Sequence, residues 1–175
     1  MNQDITALLP QDFHPASRVW IYQSNRPFNA QEEKEINEQL LHFTAQWNAH
    51  GDSVKGWGKL LFGRFIILMA DESRTGVSGC STDSSVRLIK SIARQYEAAL
   101  FDRLLIAFWV KEQIEMLPLS QVAYAFSRGF IDENTLFFNN TVLSKQELES
   151  RWLVPVKDSW LASRLQEPAA LGTAS

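Results

Sequence analysis

The sequence lacks the features that mark several classes of protein. Its 175 residues include one cysteine, which excludes an intramolecular disulfide and suits a reducing compartment. No apolar run approaches the roughly 18 to 20 residues that a membrane helix needs. The residues that follow Met1 lack the basic start and apolar run of a signal peptide. Together these absences predict a soluble, cytoplasmic protein.

The net charge is also small, and clusters of metal-ligating residues are scarce. The net charge of −3 is too small to indicate nucleic acid, a membrane surface or an acidic substrate as a partner. The three histidines are scattered, and no cysteine or carboxylate joins them at ligand spacing, so we expect neither a metal nor a cofactor. The 45% of hydrophobic residues is ordinary for a globular chain, and the length predicts one domain over 1–165 with a disordered tail over 166–175.

Hydrophobic patterning over 18–110 predicts the order β-α-β-β-α-β. Asn29 and Glu32 have the spacing of a capping box, which opens a helix that extends to about Ala49. Gly63 can supply the positive φ of a tight hairpin. The predicted strands are 18–24, 53–62, 65–70 and 104–110, and the second helix covers 84–99. This order is that of the split, ferredoxin-like motif and predicts an α+β fold.

The remaining residues, 111–165, predict a C-terminal extension of short strands and helices. Its signals are Pro118, Gly129 and the Ser144–Glu147 capping box. The strand over 65–70 is apolar on both faces, so both faces of the sheet should be buried. We expect the extension to cover the second face, with a second copy of the chain as the alternative. We therefore expect the protein to be a monomer or a homodimer.

The candidate site is the small-residue segment 78–83, which leads from the third strand into the second helix. Cys80 lies there, and helix-terminal N–H groups with the nearby Arg87 would favour its thiolate. A cysteine-dependent enzyme would also need a base, for which His50 and Asp83 are the candidates. The alternative is a small cysteine buried in a tight turn.

The same segment has the residue types of an anion site at a helix N-terminus. The residues that would contribute to it are Ser78, Gly79, Cys80, Ser81, Thr82 and Arg87. The alternative is that these hydroxyls only cap the helix. The basic stripe of Arg87, Lys90 and Arg94 is typical of a solvated helix face.

Two apparent nucleotide motifs are incomplete. Gly58-Lys59 would need glycine at position 53 and a hydroxyl at position 60 to form a phosphate loop, and those positions hold Ser53 and Leu60. Lys55–Phe62 is similar to the RNA-recognition signature, but Lys59 replaces its central stacking aromatic and the run falls on the second strand. We therefore expect neither nucleotide hydrolysis nor RNA binding.

Several runs in combination resemble an uncharacterised bacterial family of about 160–175 residues, whose members often carry the automatic label ABC transporter ATPase. They extend over about 13–165. The runs are 17–22, 25–28, Trp47 with His50-Gly51, 64–68, Ser78–Ser81 with Asp83, and 155–160. The resemblance implies a shared fold and again points to Cys80, Asp83 and His50. It implies no established activity, substrate or cofactor.

The leading hypothesis is a non-catalytic module that binds a small anionic ligand or a protein through segment 78–83. The alternatives are a cysteine-dependent enzyme that uses Cys80, and a protein associated with an ABC transporter but without ATPase motifs of its own.

Overall fold

The computed structural model describes residues 4–74, 76 and 79–165, with the backbone alone described at Gly79 and Cys80. The chain is α+β and divides into two compact units. The first unit is Met1–Asp102 with Asn140–Arg151, and the second is Arg103–Asn139 with Trp152–Ser175. The predicted tail over 166–175 lies outside the described residues. No helix in the described part of the chain has the length and apolar character needed to cross a membrane.

A three-stranded antiparallel sheet forms the centre of the first unit. Its strands are β1 (Arg18–Gln23), β4 (Lys55–Leu61) and β5 (Phe65–Asp71), in the order β1-β5-β4. Every residue of β5 is buried, as its unbroken apolar sequence predicts. Strand β4, which contains two glycines, lies at an edge of the sheet, where such residues are tolerated.

The hairpin between β4 and β5 turns through two residues of positive φ. Phe62 has a φ of 53° and Gly63 a φ of 63°, and the Arg64 N–H donates to the Leu61 carbonyl at 3.1 Å. Gly63 therefore supplies the positive φ predicted for it.

Two helices share one hydrophobic core with this sheet. They are α1 (Ala30–Ala45) and α2 (Gly79–Gln95). The Asn29–Glu32 capping box is present, with both reciprocal hydrogen bonds formed. The buried residues of the core are Phe28, Ile36, Leu40, Leu60, Ile66, Leu68, Ile89, Ile92, Tyr96, Ala98 and Leu100.

Helix α1 ends four residues before its predicted end at Ala49. The residues that follow form a short hairpin of β2 (Asn48–Ala49) and β3 (Asp52–Ser53), with Gly51 at a φ of 87° in its turn. Gly51 therefore serves the turn of this hairpin. Trp47 lies beyond the end of α1 and is buried.

The second unit is built on a four-stranded antiparallel sheet of order β7-β6-β8-β9. These strands are Gln113–Pro118, Leu105–Val110, Leu136–Phe138 and Leu153–Pro155, respectively, and a short helix α3 (Val122–Ser127) precedes β8. Gly129 has a φ of 74° after α3, as expected for a helix-ending glycine. The buried core of this unit consists of Ile106, Phe108, Val122, Ala125, Ile131, Phe137, Val156 and Leu161.

The sheet of the first unit contains three of the four strands of the predicted ferredoxin-like core. The predicted fourth strand is β6, which pairs with β7 and β8 in the second unit, so the ferredoxin-like core is not confirmed. Beside β1, where that motif has its fourth strand, the Leu143 carbonyl accepts from the Val19 N–H at 3.0 Å. Ser144 forms an isolated bridge with Arg18, and helix α4 (Lys145–Arg151) begins directly afterwards. Part of the predicted extension thus contacts β1.

Candidate functional site

Segment 78–83 is mostly helical rather than a loop. Ser78 lies outside the described residues, and α2 begins at Gly79, five residues before the predicted start at Ser84. Cys80 through Asp83 therefore lie within the first turns of a 17-residue helix. The prediction of a nucleophilic thiol stays a prediction, because the Cys80 side chain is outside the described part.

Tertiary hydrogen bonds hold the start of α2. The Ser81 hydroxyl donates to the Asn48 carbonyl at 2.5 Å, and Nε1 of Trp47 donates to the Ser81 carbonyl at 3.0 Å. The hydroxyls of Ser84 and Ser85 donate to carbonyls three residues earlier, at 2.8 and 2.7 Å, a pattern that serine adopts inside helices. Ser81 is 1% exposed, and its hydroxyl is used within the protein.

Of the other predicted site residues, His50, Thr82 and Asp83 lie near the same helix end, whereas Arg87 lies at the middle of α2. His50 is exposed, with a φ of 51°, in the turn between β2 and β3, the hairpin that Asn48 joins to Ser81. Asp83 and Arg87 are exposed and one helical turn apart on α2. Thr82 is half-buried. The hairpin that carries His50 therefore contacts the first turn of α2, and the pairing of His50 with the Cys80 thiol stays a prediction.

A cavity of about 750 Å³ opens at the end of β5, just before the predicted segment. It lies within the first unit, between the end of β5, the start of β4 and the N-terminal segment 11–14. Its lining residues are Gln11, Asp12, Phe13, His14, Ser53, Val54, Lys55, Asp71, Ser73 and Arg74. The size falls in the range of about 300–1,000 Å³ that is typical of small-molecule sites.

Asp71 organises the floor of this cavity. The carboxylate is 6% exposed and accepts hydrogen bonds from the Ser73 N–H at 2.9 Å and the His14 N–H at 3.1 Å. Hydrogen bonding by Ser73 is the largest of the causes that together lower the pKa of Asp71 to about 2, and the charge of the nearby Lys55 is a smaller one. Asp71 is therefore an ionised carboxylate whose charge is compensated inside the protein.

Lys55 connects the floor to the rim. Its Nζ lies 3.2 Å from Oδ2 of Asp12, 3.9 Å from Oδ2 of Asp71 and 4.7 Å from the centre of the Phe13 ring. The Asp12 side chain is 77% exposed, so this partner of Lys55 is in contact with solvent. An exposed ion pair of this kind contributes about 0–1 kcal/mol and is readily exchanged.

Helix α4 fixes the N-terminal wall of the cavity. The buried Nζ of Lys145 donates to the Phe13 carbonyl at 3.1 Å, and the Gln146 N–H donates to the Pro15 carbonyl at 2.9 Å. Residues that are more than 130 positions apart therefore hold the segment that carries His14 against the sheet.

Two residues on the cavity lining, His14 and Arg74, have side-chain N–H groups without a hydrogen-bond partner among the described residues. Nδ1 of His14 accepts from the Ala16 N–H at 3.0 Å, so the neutral imidazole carries its proton on Nε2. Arg74 is exposed and contributes a guanidinium fork. Sequence reasoning missed this site. The available signal was an aspartate directly after a fully apolar strand, and Asp71 follows 65–70.

The described residues contain no group of three His, Cys, Asp or Glu side chains that could hold a metal ion. Comparison with known proteins adds no assignment, since no protein-family model, curated protein or solved structure matches the chain. The resemblance to the bacterial family therefore stays a prediction.

Proposed function

We propose that this chain is a non-catalytic binding module for a small anion of low charge, and that the cavity at the end of β5 is its site. The observation that carries the proposal is the placement of Arg74 and Nε2 of His14 on the lining of a cavity of ligand size. The proposal keeps the predicted binding of a small anion and moves the site a few residues towards the N-terminus.

The balance of charge on the lining defines the ligand. Asp71 is compensated by two backbone donors and Lys55, and Asp12 is paired with Lys55. Among the described residues that line the cavity, Arg74 is the cation without an acid partner. A guanidinium binds carboxylate or phosphate through two parallel hydrogen bonds. The carboxylates of Asp12 and Asp71 on the cavity lining disfavour a multiply charged anion. These features favour a monocarboxylate or inorganic phosphate.

Thermal unfolding with added anions tests the proposal. Inorganic phosphate and acetate should each be compared with chloride at equal ionic strength, because binding to the folded state raises the unfolding temperature. Arg74→Gln should weaken the binding of the stabilising anion by at least about tenfold, since a charge-assisted hydrogen bond contributes about 1.5–3 kcal/mol. Arg87→Gln is the matched control, because it removes the same charge from the exposed face of α2.

The two variants distinguish an anion site in the cavity from an anion site at the start of α2. Loss of binding in Arg74→Gln but not in Arg87→Gln supports the cavity. The reverse result would place the site at the start of α2, as the sequence predicted. No stabilisation by phosphate or acetate would contradict anion binding altogether and leave a protein as the ligand.

The remaining parts of the proposal concern the setting of the module. We propose that it acts in the cytoplasm, since one cysteine among 175 residues suits a reducing compartment. We also propose that it shares the fold of the bacterial family it resembles. Mass measurement in solution decides between a monomer and a homodimer.

A further inference from the structure

A second ligand-sized space lies between α1 and α2, away from the cavity of the proposed function. The two helices run antiparallel: Trp47, just beyond α1, contacts Ser81 at the start of α2, while Gln39 donates to Gln95 at its end, at 3.1 Å. Two cavities of about 540 and 390 Å³ lie along this pair of helices. Gln39 and His42 line both of them, so the two cavities adjoin and form one groove.

The larger cavity has an apolar floor. Phe43 and Trp47 pack with ring centres 5.2 Å apart, and the half-buried Leu88 lies on the α2 side. Two of its polar lining groups are used internally: the Asn48 amide donates to the Gln46 carbonyl at 2.7 Å, and Ser84 bonds within α2. Among the described residues, no carboxylate lines this cavity. An apolar or aromatic group is therefore the part of a ligand that fits it.

The smaller cavity is acidic. Glu35 and Glu38 line it together with Gln39, His42 and Gln95. The Glu35 carboxylate accepts from the Gln31 amide and from the Tyr96 hydroxyl, both at 2.8 Å, and these bonds lower its pKa. Lys34 is the cation that acts on Glu35. The end of the groove near Glu35 therefore presents two carboxylates that solvent and ligand can reach.

We propose that this groove binds an amphipathic organic amine, with its apolar body on Phe43, Trp47 and Leu88 and its ammonium group on Glu38 and Glu35. Charge complementarity selects the occupant, because an acidic cavity directly adjoins an uncharged aromatic one. At about 1.5 Å of rise per residue, Glu38 lies about 7.5 Å and Glu35 about 12 Å from Phe43 along the helix axis. A ring separated from its nitrogen by a chain of about four carbons covers the axial component of the shorter distance.

Three probes of one shape test the proposal: 4-phenylbutylamine, 4-phenylbutanol and 4-phenylbutyrate, each titrated calorimetrically into the full chain. The amine should bind most tightly and the carboxylate most weakly. Glu38→Gln should weaken amine binding at least about threefold and leave alcohol binding unchanged, since it removes one partly solvated charge. Leu88→Ala should weaken both the amine and the alcohol, because it removes part of the shared apolar floor.

Matched controls make the result decisive. Glu33→Gln removes the same charge from the same helix but from a residue that lines neither cavity. Arg74→Gln, in the other cavity, should leave amine binding unchanged, so the two proposals can fail separately. Equal affinity for amine and alcohol, or equal losses in Glu38→Gln and Glu33→Gln, would overturn the proposal. Unfolding temperatures of each variant confirm that the protein titrated is folded.

Discussion

Nε1 of Trp47 donates a hydrogen bond to the backbone carbonyl of Ser81 at 3.0 Å, and both residues are buried. The Ser81 hydroxyl returns a bond of 2.5 Å to the carbonyl of Asn48, the residue after Trp47. The residues just after α1 and the start of α2 are therefore joined by two hydrogen bonds across 33 and 34 positions of sequence. This pairing explains why α2 begins before its predicted first residue.

Replacing Trp47 with phenylalanine should lower the free energy of unfolding by about 1–3 kcal/mol, since it removes a buried donor and leaves a smaller ring in the core. Amide hydrogen exchange should also accelerate in the first turns of α2 and not in β6. Chemical denaturation and exchange mass spectrometry measure the two effects. The half-buried Trp57 is the control position. Equal destabilisation by Trp57→Phe would argue against the role of the Trp47–Ser81 bond.

Gly56→Ala should be destabilising although alanine is the better residue for backbone entropy. An ideal Cβ at position 56 would lie 2.7 Å from Cε3 of Trp47, and that ring is held in place by its bond to Ser81. Forcing the ring aside should reduce the free energy of unfolding by about 1–3 kcal/mol in a denaturant titration.

Gly76→Ala is the matched control for this substitution, because a Cβ there would meet no atom of the described residues within 4 Å. It should leave stability unchanged or slightly raised. If Gly56→Ala behaves like Gly76→Ala, the close approach of Trp47 to β4 is not a constraint on position 56.

Glu32 should stabilise the fold in a pH-dependent way. Both of its oxygens lie 2.9 Å from Arg26 nitrogens, and the Asn29 N–H also donates to it. Hydrogen bonding from Arg26 is the main cause that lowers the pKa of Glu32 to about 2 from an ordinary 4.5. Since the lowered pKa belongs to the folded state, this stabilisation is complete above pH 4.5 and is lost as the pH falls towards 2.

The unfolding temperature of Glu32→Gln, followed by circular dichroism across this pH range, measures that contribution. The variant should melt below the wild type at neutral pH, and the gap should close as the pH falls from 4.5 to about 2. Glu33→Gln, which leaves the capping box intact, should show no such change in the gap. A gap of constant size would mean that Glu32 acts through packing rather than charge.

The reactivity of the Cys80 thiol distinguishes the binding module from the alternative, a cysteine-dependent enzyme. A binding module has no need of an activated thiol, so iodoacetamide should alkylate Cys80 no faster than free cysteine near pH 7. A rate at least about tenfold faster, which persists well below the ordinary thiol pKa of about 8.5, would favour the enzyme. Mass spectrometry of the intact protein follows the reaction at this single site.

Local sequence signals determined the elements that depend on residues close together in the sequence. The unbroken apolar run over 65–70 predicts a strand buried on both faces, and β5 is one. The Asn29–Glu32 box opens α1, and Gly63 turns the β4–β5 hairpin. Each of these signals acts between residues a few positions apart, so no distant contact is needed to interpret it.

Only the tertiary structure decided the features that depend on distant partners. The early start of α2 depends on Trp47 and Asn48, and β6 pairs with β7 and β8 because they offer its backbone partners. The cavity at Asp71 needs Asp12 and Lys55, which lie far from it in sequence. A preference of a few tenths of a kcal/mol per residue cannot specify such contacts, whereas burial and paired polar groups can contribute several kcal/mol.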